Sequence, residues 1–300
     1  MKTSFILVFS FSFLVLQNAH GLLLFDEDND ATTTPPVGVD IPWDAVARVA
    51  NFDGTSPSSP AGTAVHLGHG YMLTANHVSN RSHVSFDGTT WYQRDTSYTP
   101  QQIAAGVDLK IFRLLQTPLT AAVNLHTGGG ELDAEGYHVG WGRGRASDDD
   151  LGEDVQAFGD NATIDKRWGT NVVRAVGEED WTIGSTTYTQ EALTTVLGKD
   201  EGSHEAALAI YDSGSPYFQL FNGEYVLTGI GAAIAQQNAS SATFGRDSLV
   251  GGNLGDRNFL VQIGPYEEVI LEVIPEPETY ALILGLLSVL LILRRRNRIR

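Results

Sequence analysis

Short apolar stretches separated by turn residues recur along the middle of the chain. Three pairs of such stretches flank a tight turn: residues 63–75 around Gly68-His69-Gly70, residues 84–92 around Asp87-Gly88, and residues 217–230 around Asn222-Gly223. Asp-Gly and Asn-Gly pairs tolerate the positive φ angles that short hairpin turns require. The pattern therefore predicts antiparallel hairpins, and their number favours a β-sandwich or a β-barrel. Only two segments, Glu191 to Leu197 and Tyr266 to Val273, are expected to be helical.

The first 21 residues have the layout of a secretory signal peptide. Lys2 precedes an almost wholly apolar stretch from Phe5 to Leu16, and small residues at Ala19 and Gly21 follow. This order predicts cleavage after Gly21 and export of the mature chain.

A second apolar stretch, Tyr280 to Leu293, lies just before a cluster of five arginines at the C-terminus. At 1.5 Å per residue, a helix of this length spans about 21 Å, which is short of the roughly 30 Å of a bilayer core. A membrane anchor made from it would be thin. The arginines are expected to stay in the cytoplasm, which places the globular part on the other side.

Charge and cysteine content exclude several classes of protein. The full chain carries a net charge of −17. One lysine precedes residue 22, and five arginines and two glutamates follow residue 274, so residues 22–274 carry −21. Such a surface repels nucleic acid and anionic membranes. The absence of cysteine excludes a disulfide framework and a cysteine-ligated metal. The acidic and Thr-Pro-rich segment 22–36 is interpreted as a linker or propeptide.

Three separate segments carry a set of residues suited to nucleophilic catalysis. His77 lies one residue before the end of the segment 62–78, Asp108 lies in the segment 106–114, and Ser213 lies in the segment 210–216. A serine hydroxyl is too weak an acid to ionise near neutral pH, so it needs a neighbouring base, and histidine suits that role. A carboxylate then holds the imidazole in the correct tautomer. Taken singly, each residue has a structural interpretation as well: a buried histidine, a strand-edge aspartate and an Asx-turn.

These segments occur in the order His, Asp, Ser. The run Val139-Gly140-Trp141-Gly142 lies between the Asp and Ser segments, and a further predicted strand over residues 226–233 follows the Ser segment. Together they resemble the trypsin-like (chymotrypsin-fold) serine proteases over roughly residues 37 to 270. The resemblance implies an all-β protease domain over residues 37–274, with two six-stranded Greek-key β-barrels (about 37–130 and about 137–270), the active site between them and a short C-terminal helix. It implies a serine-type endopeptidase, a hydrolase that forms an acyl-enzyme.

The resemblance also assigns roles to individual residues. Ser213 is the nucleophile, His77 is the base and then the acid, and Asp108 orients the imidazole. The backbone N–H groups of Tyr211 and Ser213 form the oxyanion hole. Tyr211 stands where the family has glycine, so a glycine-only conformation would cost about 1 to 2 kcal/mol. Losing one oxyanion donor costs about 2.7 to 4 kcal/mol of transition-state stabilisation. The alternative interpretation is therefore a catalytically weakened or inactive binding protein of the cell surface or extracellular matrix.

Substrate preference and activation follow from the same resemblance. The floor of the primary specificity pocket is Ala207, and its wall is the run Gly231, Ala232, Ala233 and Ile234. We expect small or medium apolar side chains at the cleaved position rather than Arg or Lys. Family zymogens pair a new N-terminus with the aspartate before the nucleophile, here Asp212, and Val37-Gly38 lies about where such a terminus belongs.

Residues 275–300 resemble the PEP-CTERM sorting signal of envelope-forming bacteria, because Pro275-Glu276-Pro277 precedes the apolar stretch and the arginines. The resemblance implies transient anchoring in the cytoplasmic membrane and processing by a sorting enzyme at the membrane. It also implies delivery to the cell envelope or the outside. An ordinary tail anchor is the alternative.

No cofactor and no metal are expected. No pair of histidines has the His-Glu-x-x-His spacing of a zinc site. The acidic run Asp148-Asp149-Asp150 with Glu153 and Asp154 is interpreted as a solvated loop. The remaining histidines are expected at the surface or in turns: His66, His69, His83, His126, His138 and His204. The expected partner is a protein or peptide substrate, with no nucleic acid, and the protein is expected to be a monomer.

Overall fold

The computed structural model describes residues 22–25, 32–146, 154–198, 202, 204–235, 240–245 and 255–274. In these segments the chain is mainly β-structure, with one short α-helix near the C-terminus. The elements are β1 (Leu23–Leu24), β2 (Val46–Phe52), β3 (Pro57–Gly68), β4 (Tyr71–Thr74), β5 (His83–Ser85), β6 (Trp91–Gln93), β7 (Gln101–Gln102), β8 (Lys110–Arg113), β9 (Glu135–Gly140), β10 (Val155–Ala157), β11 (Arg167–Ile183), β12 (Thr186–Val196), β13 (Ala206–Ala207), β14 (Pro216–Phe221), β15 (Glu224–Ala235), β16 (Ser241–Thr243), β17 (Arg257–Gln262) and α1 (Glu267–Val273).

The N-terminal half forms a seven-stranded sheet in the order β6-β5-β2-β3-β4-β8-β7. The sheet curls until Arg94, just after β6, forms an antiparallel bridge with Leu114, just after β8. The C-terminal half forms a closed barrel in the order β11-β12-β17-β15-β14-β9. The structure thus has one closed six-stranded barrel and one curled sheet, where the sequence predicted two closed six-stranded barrels.

The predicted hairpins are present. Val84 pairs with Tyr92 across the Asp87-Gly88 turn, and Phe221 pairs with Glu224 across Asn222-Gly223. Both turn residues of the second hairpin have positive φ, 53° at Asn222 and 87° at Gly223, as a type I′ turn requires. The hairpin of β3 and β4 likewise turns through three residues with positive φ.

One helix prediction is confirmed and the other is wrong. Residues 267–273 form α1, which buries Ile270. Glu191 to Leu197 was predicted to be helical, but residues 191–196 belong to β12. That strand pairs with β11 on one side and β17 on the other, and this pairing outweighs a weak local preference.

The start of the described chain is packed into the protein rather than forming a linker. Leu22, Leu23 and Leu24 are buried, and β1 pairs with β13. Leu23 packs in an apolar cluster with Leu197, Ala207, Ala242 and Phe244. Thr32 is buried as well, so the interpretation of 22–36 as a linker does not hold for these residues.

Several predictions fall outside the described residues. These are the signal peptide over residues 1–21, the sorting signal over 275–300 and most of the acidic run 148–154. None of the helices in the described segments has the length and apolar character needed to cross a membrane.

Candidate active site

His77 lies in a turn after β4, and the buried Asp108 carboxylate holds this turn. Asp108 Oδ2 lies 2.7 Å from His77 Nδ1, and Asp108 Oδ1 accepts a hydrogen bond from the His77 backbone N–H at 3.0 Å. The Asp108 backbone carbonyl also accepts from the Asn76 N–H at 3.1 Å. Since Asp108 is fully buried, its carboxylate fixes both the backbone and the ring of His77. With Nδ1 donating to the carboxylate, Nε2 is left to act as a base.

Lys110 also holds the turn that carries His77. Its side chain is buried, and Nζ donates to the backbone carbonyls of Asn76, at 3.1 Å, and of Val78. Burial lowers the pKa of Lys110 to about 8, although the Asp108 carboxylate nearby opposes this change. Asp108 thus binds N–H groups of the turn, and Lys110 binds its carbonyls on either side of His77.

Ser213 lies in a loop of the C-terminal half that hydrogen bonds to β3 of the N-terminal sheet. The Thr63 N–H donates to the Ser213 carbonyl at 2.8 Å, and Thr63 Oγ1 donates to the Tyr211 carbonyl at 3.1 Å. A Cβ at Gly62 would lie 2.6 Å from the Ser213 carbonyl oxygen and 2.8 Å from a Val78 methyl group. The serine loop and the residue after His77 therefore border the same point. No hydrogen bond joins Ser213 Oγ to the His77 ring, and the half-buried Ser213 hydroxyl has no partner among the described residues.

The two amides predicted to form the oxyanion hole have no acceptor in the part of the chain that the structure describes. Within the described part of the chain, neither the Tyr211 nor the Ser213 N–H donates a hydrogen bond to protein. The Ile210 carbonyl accepts from the Arg143 N–H at 2.8 Å. Because a trans peptide points its C=O and N–H in opposite directions, the Tyr211 N–H points away from Arg143. Both amides are available to an anion.

Tyr211 adopts the conformation that is natural to glycine. Its φ is 79°, in the left-handed region where a side chain adds strain of about 1 to 3 kcal/mol. Two contacts hold it there: the Thr63 hydrogen bond to its carbonyl, and the Arg143 guanidinium, which lies 5.3 Å from its ring centre. The positive φ, and the cost expected from the sequence, are therefore present at Tyr211.

Asp212, in the serine loop, is fully buried, and its carboxylate explains why the Gly-Trp-Gly motif has glycine at positions 140 and 142. The Gly142 N–H donates to Asp212 Oδ1 at 2.7 Å and the Ala209 N–H donates to Oδ2 at 2.8 Å. A Cβ at Gly140 or Gly142 would lie under 3.0 Å from this carboxylate, so both positions require glycine. Burial raises the pKa of Asp212 to about 7, against the stabilising effect of these amides and of Arg167.

The backbone N–H of Leu22 also donates to Asp212. The Leu22 side chain borders Gly140 beside the same carboxylate. Val37, which the sequence suggested as a new N-terminus for Asp212, is 100% exposed in the uncleaved chain. The residue that reaches Asp212 is therefore the one that follows the predicted signal-peptide cleavage site.

The predicted wall of the specificity pocket lies beside the serine loop. The Gly231 N–H donates to the Ser215 carbonyl, and the Gly214 N–H donates to the Gly231 carbonyl, each at 2.7 Å. Ala232 is buried beside them, and Ala233 and Ile234 are half-buried. Ala207 is fully buried and pairs with Leu23. Sequence reasoning missed Leu208, whose methyl groups would lie 3.1 and 3.2 Å from a Cβ at Gly231 and so fill the space beside it.

Three of the other histidines are buried, which corrects the expectation that they lie at the surface. His66 Nε2 accepts from the Gly70 N–H at 3.3 Å, and His126 stacks on Phe221. His138 is fully buried, and burial lowers its pKa to about 3. No group of potential metal ligands occurs among the described residues.

No family model matches the sequence, and no curated protein is detectably similar to it. The structure is similar to that of the Rv3671c protease from M. tuberculosis in its active form, at 14% identity over 89% of this chain and 93% of that one, with a TM-score of 0.50. Two further structures score lower: the MamO protease domain from Magnetospirillum magneticum (15% identity, 78% and 97% coverage, TM-score 0.44) and the HtrA-type protease AlgW with a decapeptide (17%, 77% and 64%, 0.47). At this identity the first likeness shows a shared fold, so the chain has a trypsin-like fold.

The packing of Asp212 predicts the effect of adding a methyl group at Gly142. Gly142→Ala is expected to lower the free energy of unfolding by about 1 to 3 kcal/mol, because the new Cβ overlaps a carboxylate that has no room to move. Gly177→Ala in β11 is the matched control, since nothing lies within 4 Å of its new Cβ. Chemical denaturation of the two variants measures the difference. An equal loss in both would contradict the assigned packing.

Proposed function

We propose that this chain is a serine endopeptidase that hydrolyses peptide bonds through Ser213, His77 and Asp108. The observation that supports this most strongly is the pairing of His77 with the buried Asp108 carboxylate, near a loop whose Tyr211 and Ser213 amides have no acceptor among the described residues. The trypsin-like fold agrees with it. A protein that only bound a ligand would not need a desolvated carboxylate to fix one imidazole tautomer.

In the proposed reaction, Ser213 Oγ attacks the carbonyl carbon of the substrate and its proton passes to His77 Nε2. Asp108 accepts the Nδ1 hydrogen bond and stabilises the imidazolium. The oxyanion of the tetrahedral intermediate binds the two free amides. The imidazolium then protonates the leaving amine, and water repeats the sequence on the acyl-enzyme.

The absence of a Ser213–His77 hydrogen bond is compatible with this mechanism. Catalytic hydrogen bonds are often long in structures without substrate and tighten when substrate binds. The strain at Tyr211 acts on rate, because any rotation that relieves its positive φ removes an oxyanion donor. The proposed enzyme is therefore slower than one with glycine at this position.

Covalent labelling tests the proposal. We expect a fluorophosphonate probe to label the wild-type protein at Ser213, because only a serine activated by a base reacts at a useful rate. Ser213→Ala should abolish labelling, whereas Ser215→Ala should retain it, since Ser215 Oγ is buried. Mass spectrometry of the labelled peptide identifies the site. A folded wild-type protein that does not react would favour the binding-protein alternative.

Preference at the cleaved position is proposed to be for small or medium apolar side chains. The support is the small and apolar character of the residues assigned to the pocket, and Leu208 fills the space beside Gly231. In a peptide library the wild type is expected to cleave after Ala or Val and not after Arg or Lys. Leu208→Ala should shift cleavage towards Leu and Phe, because it opens volume. Dominant cleavage after basic residues would contradict this pocket assignment.

Activation is proposed to follow removal of the signal peptide after Gly21. Cleavage there turns the Leu22 N–H into an ammonium group beside the buried Asp212, whose pKa burial otherwise raises to about 7. An ammonium group at this position favours the ionised carboxylate and holds the serine loop in place. Cleavage of the signal peptide would then both complete export and activate the enzyme.

A pair of chains that differ by one residue tests this activation. With Gly21 retained, Asp212 takes up a proton on folding, because its folded pKa lies above its unfolded value of 3.8. The free energy of unfolding should therefore fall as the pH rises from about 4 to 7. A chain beginning at Leu22 should avoid most of this loss, so its free energy of unfolding at pH 7 should be about 1 to 3 kcal/mol higher than that of the chain with Gly21. It should also react faster with the fluorophosphonate probe. Equal stability and labelling of both chains at pH 5 and pH 7 would contradict the proposed pair.

The location of the protein is proposed from the two ends of the sequence. The signal peptide directs export, and the sorting signal anchors the chain transiently in the cytoplasmic membrane. A processing enzyme at the membrane then releases it to the cell envelope or the outside. This location agrees with the net negative charge of residues 22–274, which repels nucleic acid.

A further inference from the structure

The hairpin of β11 and β12 extends from the closed barrel to the His77–Asp108 pair on the N-terminal sheet. Trp181 and Tyr188 pair with each other in this hairpin. Trp181 Nε1 donates to Asp108 Oδ2 at 3.0 Å, and Gln190 Oε1 accepts from the Asp108 backbone N–H at 2.5 Å. Asn76 Nδ2 donates to Tyr188 Oη at 3.3 Å. One hairpin of the C-terminal half thus contacts the segments that carry both His77 and Asp108.

The carboxylate of Asp108 needs these donors because it is fully buried. A buried carboxylate without hydrogen bonds costs several kcal/mol. Oδ1 accepts from the His77 backbone, and Oδ2 accepts from the His77 ring and from the Trp181 indole. Trp181 is only 8% exposed, and its indole N–H can only donate a hydrogen bond. The indole N–H and the Asp108 carboxylate therefore satisfy each other's hydrogen-bonding requirement.

The other charged groups that face Asp108 do not replace this donor. Lys110 is near enough to interact with the carboxylate electrostatically, but its Nζ is bound to the Asn76 and Val78 carbonyls. Tyr188 also interacts electrostatically with the Asp108 carboxylate, but its hydroxyl accepts from Asn76 Nδ2 and makes no hydrogen bond to that carboxylate among the described residues. Trp181 is thus the one side chain besides His77 that donates to the Asp108 carboxylate within the described segments.

We propose that Trp181 is a positioning residue, whose indole N–H fixes the rotation of the Asp108 carboxylate so that Oδ2 meets His77 Nδ1. Its effect on catalysis rests on the proposed function. Its effect on the His77–Asp108 pair does not, because that pair exists whether or not the protein turns over a substrate.

Two conservative variants separate positioning from packing. Trp181→Phe keeps an aromatic ring and removes only the donor. Trp168→Phe is the matched control, because Trp168 lies in the same strand, is also 8% exposed, and donates from Nε1 to a backbone carbonyl, that of Thr34, at 2.9 Å. Both variants lose one buried indole hydrogen bond, so both should lose similar stability.

Only Trp181→Phe is expected to alter the pH–rate profile. Its kcat should fall about 10-fold with KM unchanged, because the carboxylate orients the ring less well. Without the indole donor the carboxylate becomes more basic and binds the imidazolium more strongly, so the acidic limb of kcat/KM should move to higher pH. The proposal would be overturned if Trp181→Phe and Trp168→Phe had the same kcat and the same acidic limb in the pH profile of kcat/KM.

A measurement on the wild type keeps the test independent of activity and of the folding of the variant. In ¹⁵N-labelled protein, the Trp181 indole N–H signal should titrate with the same midpoint as the His77 ring, and Asp108→Asn should abolish that titration. This result supports the positioning role even if the protein proves to be catalytically inactive. A Trp181 signal that is insensitive to the His77 titration would overturn the proposal while leaving the proposed function standing.

Discussion

The candidate site is built around one buried carboxylate. Asp108 has no access to solvent, so protein donors must supply the hydrogen bonds that water would otherwise make. They come from both halves of the molecule: the His77 backbone and ring from the N-terminal sheet, and the Trp181 indole from the closed barrel. A displacement of one half against the other removes the indole donor from this carboxylate. This cost couples the fold to the geometry of the imidazole.

The serine loop depends on contacts of the same kind. Thr63 in β3 hydrogen bonds to the carbonyls of Tyr211 and Ser213, so the N-terminal sheet directs the backbone of a loop in the other half. Asp212 binds the same loop to the Gly-Trp-Gly segment and to Leu22. The positive φ at Tyr211 persists because these contacts over-determine it.

What was predictable from the sequence depended on the range of the interaction. Tight turns such as Asn222-Gly223 are encoded by adjacent residues, so the hairpins were predicted correctly, as was α1. The motifs around His77, Asp108 and Ser213 marked the segments that meet.

Trp181 and Lys110 were missed because their roles come from contacts across the fold, with no local signal. β12 was assigned to a helix because pairing on both its edges, which is not visible locally, decides its structure. The segment after residue 21 was interpreted as a linker or propeptide from its acidic run and its Thr-Pro spacer, and the three leucines that precede the acidic run are buried in the core.

The most direct test of this account is a crystal structure of the protein inhibited by a fluorophosphonate. The account predicts phosphonylated Ser213, with the phosphoryl oxygen about 2.7 to 3.1 Å from the Tyr211 and Ser213 amide nitrogens. It also predicts that His77 Nδ1 remains hydrogen bonded to Asp108. A phosphoryl oxygen turned away from these amides, or an imidazole separated from Asp108 in the adduct, would contradict it.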